Sequence, residues 1–169
     1  MSGSEKSKLI LIDTNVWIAA LFPWRPHADA ARRLLNVAIR ADYALTYAVH
    51  QVKDLFYLCG VEAKQKVREE TGTLSQADAL AARAVAWGCV ENICKNATAI
   101  AADESDVWLA RKYRALHDDF EDNLILAAAR RANVSMLVSA DDVLLRKATV
   151  PAFKPEDALA YLELGLAAG

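Results

Sequence analysis

Leu9-Ile10-Leu11-Ile12-Asp13-Thr14-Asn15 sets four consecutive aliphatic residues against one acid. So short an unbroken apolar run suits a strand buried on both faces, the usual state inside a parallel sheet. Met136-Leu137-Val138-Ser139-Ala140-Asp141 repeats the pattern far along the chain. Two buried strands, each closed by an aspartate, predict a parallel α/β sheet with acids at its carboxyl edge. That is the edge at which such sheets bind ligands.

The rest of the chain alternates accordingly. Tyr43 to Thr46, Thr98 to Ala102 and Val150 to Phe153 are the remaining candidate strands. Asn15 is a candidate cap for a short helix, Trp17 to Leu21, before a loop marked by Pro23 and Pro26. Ala28 to Arg40 carries Ala31, Leu34, Leu35 and Ala38 on one helical face. Ala48 to Cys59 reads as a helix, continued from Val61 to Glu70 and broken at Thr71-Gly72-Thr73. Ser75 to Asn92 is an alanine-rich helix with Ser75 and Asp78 at capping-box spacing, its last turn weakened by Gly88. Helices over Ser105 to Leu116, Asp119 to Arg131 and Asp142 to Lys147 follow, and Pro155 opens a last one to about Leu164. This alternation implies a three-layer α/β/α fold around a central, mostly parallel sheet of four to five strands.

Composition bounds the rest. The 169 residues are most simply one domain, 8–169, after a small, polar, flexible leader over 1–7 without a signal core. No apolar run approaches the roughly 18 residues of a membrane span, so no membrane partner is expected. Cys59, Cys89 and Cys94 are odd in number and lack a CxxC pair, which fits a reduced, cytoplasmic setting. The net charge of −2 does not advertise nucleic-acid binding; local patches would have to supply it.

The acids carry the chemistry. Asp13 and Asp141 close strands, Asp122 falls in the first turn of a helix, and Asp54 lies inside one. Carboxylates gathered at one sheet edge repel unless a hard divalent cation sits between them, and such a cation can hydrolyse phosphate esters. Plainer readings compete: Asp122 suits a helix N-terminus with Asp119 as N-cap, and Asp141 could be an ordinary cap. Asp13 is harder to explain structurally, because a carboxylate ending an apolar strand is costly to bury. Asn15 and Ser139 are polar neighbours able to hydrogen-bond the acids.

Three of these segments, in order, resemble the landmarks of the PIN-domain nucleases. They are Leu11-Ile12-Asp13-Thr14-Asn15, Asp119-Phe120-Glu121-Asp122-Asn123-Leu124-Ile125 and Leu137-Val138-Ser139-Ala140-Asp141-Asp142. Lys154-Pro155-Glu156-Asp157 resembles the family's ending, so the likeness spans roughly residues 8–164. The resemblance implies a PIN-like fold and a Mg²⁺- or Mn²⁺-dependent ribonuclease. It is similar in particular to VapC-like toxins, which an antitoxin neutralises. By motif it makes Asp13, Asp122 and Asp141 the metal-binding acids. The family's fourth acid is a glutamate on the helix after the second strand. No glutamate stands on the helix expected there, and Asp54 is the nearest substitute, with a reach about 1.5 Å shorter.

An acidic cleft needs cations around it to hold RNA. Arg25 beside Trp24, together with Arg146 and Lys147, are the phosphate-contact candidates, with Trp24 as a stacking platform. The apolar region of Trp17, Phe22, Trp24 and the Ala28 to Arg40 helix is a candidate surface for an antitoxin helix or a second copy of the chain; core packing is its default use. Two other functions compete. An aspartyl phosphatase would use Asp13 as nucleophile, but Asn15 stands where the haloacid-dehalogenase pattern wants a second aspartate. A catalytically silent PIN-like binding module is the other, with Asp54 as its best argument.

Overall fold

The computed structural model describes residues 8–168; the leader expected over 1–7 lies outside them. Five parallel strands form one sheet in the order β3-β2-β1-β4-β5. They are β1 (Leu9–Ile12), β2 (Ala44–Ala48), β3 (Thr98–Ile100), β4 (Met136–Val138) and β5 (Ala152–Phe153). The two apolar runs read from the sequence are the neighbouring central strands β1 and β4, in register from Ile10 opposite Met136 to Ile12 opposite Val138. Asp13 and Ser139 therefore leave the same edge of the sheet side by side.

Strand alternation divides the interior. Ile10, Ile12, Met136 and Val138 face one core, and Leu11 and Leu137 face the other. The first core is covered by α1 (Thr14–Leu21), α2 (Ala28–Arg40), α3 (Val52–Thr71), α4 (Gln76–Asn96) and α8 (Pro155–Ala167). The second is covered by α5 (Glu104–Tyr113), α6 (Phe120–Arg131) and α7 (Asp142–Lys147). This is the expected three-layer α/β/α arrangement. Both faces of the sheet are covered, so strands without polar residues are tolerated.

Several local readings change. Asn15 does not cap the first helix: Asp13 does, its side chain accepting from Thr14 N, and the helix starts at Thr14. The segments after β2 form a short 3₁₀ turn, Val49–Gln51, and then one unbroken helix. That helix passes through Gly60, carries Glu62 and ends on Gly72, whose φ of 75° suits the left-handed cap. The capping box of Ser75 and Asp78 forms as expected, but α4 runs through Gly88 to Asn96. Trp17 and Phe22 are core residues, so the apolar region around α1 is largely packed; Trp24 and, on α2, Ile39 remain about half exposed.

The α5–α6 layer is tied by one ion pair. Arg131 Nε and Nη2 reach the two oxygens of the buried Asp106 at 2.8 and 3.0 Å, and Nη2 also meets the Ala101 carbonyl. Replacing Arg131 by Met would leave Asp106 buried without its cation. We expect a loss of about 2–3 kcal/mol in chemical denaturation, reduced from the fully buried case because Arg131 is partly exposed. Exposed Arg33→Met, measured alongside, is expected to cost under about 1 kcal/mol.

Candidate functional site

Asp13 lies at the end of β1 with only 5% of its surface exposed. Each carboxylate oxygen accepts two hydrogen bonds. Oδ1 accepts from Thr14 N at 2.7 Å and Gln51 Nε2 at 3.0 Å. Oδ2 accepts from Asn15 Nδ2 at 2.8 Å and Ser139 Oγ at 2.6 Å. The partners are themselves held. Asn15 Oδ1 accepts from Ala140 N, Ser139 Oγ from Asp141 N, and Gln51 Oε1 from Ala48 N. One acid thus joins the carboxyl ends of β1, β2 and β4.

Around it opens a cleft of about 240 Å³. Six carboxylates line it: Asp13, Glu62, Asp119, Glu121, Asp122 and Asp141. The lining holds a single cation, Arg25. Asp119 caps α6 through Glu121 N and Asp122 N, and Asp141 caps α7 through Val143 N and Leu144 N. The capping reading of these acids and the cleft reading are therefore compatible. Asp122, one turn into α6, is partly buried, with Oδ2 2.6 Å from His117 Nε2.

The crowding shows in the acidities. Burial pushes the Asp13 carboxyl up to about 6, against the lowering effect of the Ser139 and Thr14 hydrogen bonds; Asp122 and Asp141 add to the rise. Burial also raises Asp122, opposed by the His117 hydrogen bond, and Asp119 and Asp141 push it further. Glu121 is raised by burial and then by Asp54, Asp119 and Asp122. Electrostatically, these acids form one site.

A folded pKa raised above the unfolded value means that the native state binds the extra proton. The contribution of Asp13 to stability is therefore fully present below about pH 4 and is lost as pH rises through about 6. In chelator, wild type is expected to lose about 2–3 kcal/mol over that window relative to Asp13→Asn. Parallel urea titrations from pH 4 to 7 measure it. The comparison cancels exposed acids such as Asp78 and Asp142, whose pKa values are lowered and act in the opposite sense.

The other sequence candidates fall differently. Asp54 does not line the cleft; it sits on α3 beside Lys53, Nζ to Oδ1 3.6 Å, and is felt by Glu121. The side chain that reaches Asp13 from the segment after β2 is Gln51. Arg146 and Lys147, in the last turn of α7, are also outside the lining. Arg25 is within it, but its guanidinium is 3.1 Å from Glu62 Oε1, while Trp24 Nε1 donates to Glu62 Oε2 at 3.2 Å. Glu62, Glu121, Gln51 and His117 were not found from the sequence. Glu62 lies on the helical continuation Val61 to Glu70 without a motif to single it out, and the other three show no periodic signal.

A parallel α/β sheet that gathers acids from two strand ends and one helix start defines a class: the PIN-like α/β/α domains. A family model of the PIN domain matches residues 9–142, and the chain belongs to that family. No curated protein matches the sequence. Among solved structures, PAE2754 from Pyrobaculum aerophilum is similar in fold, with TM-score 0.60, 15% identity, and 95% of this chain and 94% of that chain covered. VapBC2 from Rickettsia felis, bound to a DNA fragment from its promoter, gives 0.56 at 14% identity, over 86% and 98%. VapC20 from Mycobacterium tuberculosis, a sarcin–ricin loop cleaving toxin, gives 0.52 at 17% identity, over 81% and 93%.

Proposed function

We propose that the protein is a divalent-metal-dependent ribonuclease and the toxin of a toxin–antitoxin pair, working in the cytoplasm. The observation that carries this is the convergence of Asp13, Asp122 and Asp141, from three separate elements, on one cleft. Among the described residues no three His, Cys, Asp or Glu side chains stand close enough to ligate one ion directly. Mg²⁺ does not require that. It keeps several waters and takes one or two carboxylates, so an oxygen-only, strongly anionic cavity is a fitting donor set for hydrated Mg²⁺ or Mn²⁺.

Asp13, Asp122 and Asp141 would hold the ion. When bound, it acidifies a water and offsets charge on the scissile phosphate. The chain's own residues set the stage for that chemistry. Thr14 N, Gln51, Asn15 and Ser139 fix the orientation of the Asp13 carboxylate with four donors. The His117 ring fixes Asp122 Oδ2. Arg25, held by Glu62, is the cation at hand for a substrate phosphate in an otherwise acidic cleft. An antitoxin as partner is supported by the likeness in fold to the VapBC2 complex. No helix among the described residues is long and apolar enough to cross a membrane.

A second reading, a catalytically silent binding module, is favoured by Gln51. A carboxamide meets Asp13 from the turn that follows β2, although the helix after it does bring a glutamate, Glu62, to the cleft. RNA cleavage with Mg²⁺ or Mn²⁺ by wild type, Asp13→Asn and Asp122→Asn decides. Cleavage lost in both variants supports the nuclease. Equal cleavage by all three would point to a contaminant, and none by folded wild type to the silent module.

A further inference from the structure

The second feature of interest lies beside the acidic cleft and has the opposite charge. A groove of about 570 Å³ runs between α5 and the start of α6, lined by Trp108, Arg111, Lys112, Arg114, Phe120 and Asn123 among others. Trp108 is 56% exposed and Phe120 51%. Both rings are open to solvent in the same groove as the cations. Lys112 Nζ lies over the Trp108 ring, 3.8 Å from its centroid, so the cation covers one face of the indole and a stacked base would take the other or displace it. Arg114 pairs with Asp118 at 3.4 Å, both side chains largely in water, a contact worth little and easily exchanged. Arg111 and Lys112 have no carboxylate within ion-pair distance among the described residues.

Two further observations point to a ligand. Asn123 is 2% exposed, its Nδ2 donates to the His117 carbonyl, and its buried Oδ1 has no hydrogen-bond partner. A buried acceptor left unpaired is costly, and a small outward shift of Asn123 would let an N–H or hydroxyl donor of a bound molecule satisfy it. The groove also adjoins the acidic cleft. Asp118, Phe120 and Asn123 line the groove, while Asp119, Glu121 and Asp122 of the same segment line the cleft. The two sites share the first turn of α6.

We propose that this groove binds single-stranded RNA, stacking a base on Trp108 or Phe120 and holding its phosphates with Arg111, Lys112 and Arg114. Exposed aromatics interleaved with cations are the means by which single strands are held without a duplex. A chain of net charge −2 places this cationic face next to its acidic cleft, where a strand of RNA can be gripped at one point and presented at the other. The proposal rests on the nuclease reading for its purpose, but its binding step can be tested without catalysis.

The test is fluorescence anisotropy with a labelled single-stranded oligoribonucleotide about 12 nucleotides long, in chelator so that it stays intact. Trp108→Ala is expected to weaken binding about 5- to 100-fold, and Trp108→Phe to restore most of it. Arg111→Ala with Lys112→Ala is expected to flatten the slope of log affinity against log salt by about 1.4. All of these side chains are on the surface, and melting curves confirm folding. Binding unchanged in both Trp108→Ala and the double variant overturns the proposal. So does poly-glutamate competing as well as RNA, which would mark the groove as a site for an acidic protein. Groove binding without any cleavage in Mn²⁺ would uphold the groove and sink the nuclease reading. Cleavage with KM unchanged in Trp108→Ala would do the reverse.

Discussion

Asp13→Asn is expected to lower kcat/KM for RNA cleavage about 10²- to 10³-fold, the scale on which removing one preorganised electrostatic group acts. The substitution keeps the size of the side chain and one of its two acceptors. An asparagine can still receive Thr14 N and Gln51 Nε2 on its oxygen, so the cap of α1 survives. Its amide then faces Asn15 Nδ2 and Ser139 Oγ, where Asp13 had accepted two hydrogen bonds. The Asn15 amide keeps its second partner, Ser139 Oγ at 3.2 Å, while the Ser139 hydroxyl, whose oxygen already accepts from Asp141 N, must turn away, so one donor is left opposed. That costs about 1 kcal/mol, offset by no longer burying a charge. The protein should therefore stay folded while losing the central carboxylate of the cleft. Calorimetric titration with Mn²⁺ should show a matching loss of affinity. Asp54→Asn is the contrast: it alters no cleft-lining side chain and should cleave near the wild-type rate. If Asp13→Asn cleaves normally, the chemistry is elsewhere.

Much of this was legible in the chain, for identifiable reasons. β1 and β4 are apolar without interruption because helices cover both faces of the sheet, and their closing positions told where the acids would emerge. Helices α2 and α7 fall at the expected bounds, and Ser75 and Asp119 cap as read, because those signals are local. What failed was long-range. A side chain at Gly60 would meet only Ala86 Cβ at 3.8 Å, and packing between α3 and α4 carries the helix through that position without a break. That continuity puts Glu62 at the cleft. Asp54 is the nearest acid to the position of the expected glutamate, but whether a side chain reaches Asp13 depends on the 3₁₀ turn that re-aims the chain between β2 and α3. The groove was not read from the sequence: Trp108, Arg111 and Lys112 share one face of α5 at helical spacing, but only packing against α6 adds Phe120 and Asn123.

Gln51→Glu is expected to tighten Mn²⁺ binding at least about tenfold while destabilising the metal-free protein by about 2–4 kcal/mol. The two effects have one cause. Gln51 Nε2 donates to Asp13 Oδ1 at 3.0 Å and to Thr14 Oγ at 3.1 Å in a fully buried position. A glutamate keeps the acceptor for Ala48 N but replaces the donor with an oxygen facing a carboxylate. Two acids so placed cannot both ionise without a cation; one pKa must rise steeply. In chelator the variant should melt lower, more so at pH 8 than at pH 5, where the pair can share a proton. A divalent cation removes the repulsion and gains a ligand in the same step, so the penalty becomes binding energy, with tenfold in affinity corresponding to about 1.4 kcal/mol. The shift in Tm between chelator and saturating Mn²⁺ should therefore be larger for Gln51→Glu than for wild type. Asp54→Glu, lengthened by one methylene but placed beside Lys53 outside the cleft lining, should change neither quantity. The reverse result, tighter metal binding by Asp54→Glu and none by Gln51→Glu, would give the fourth corner of the site back to Asp54.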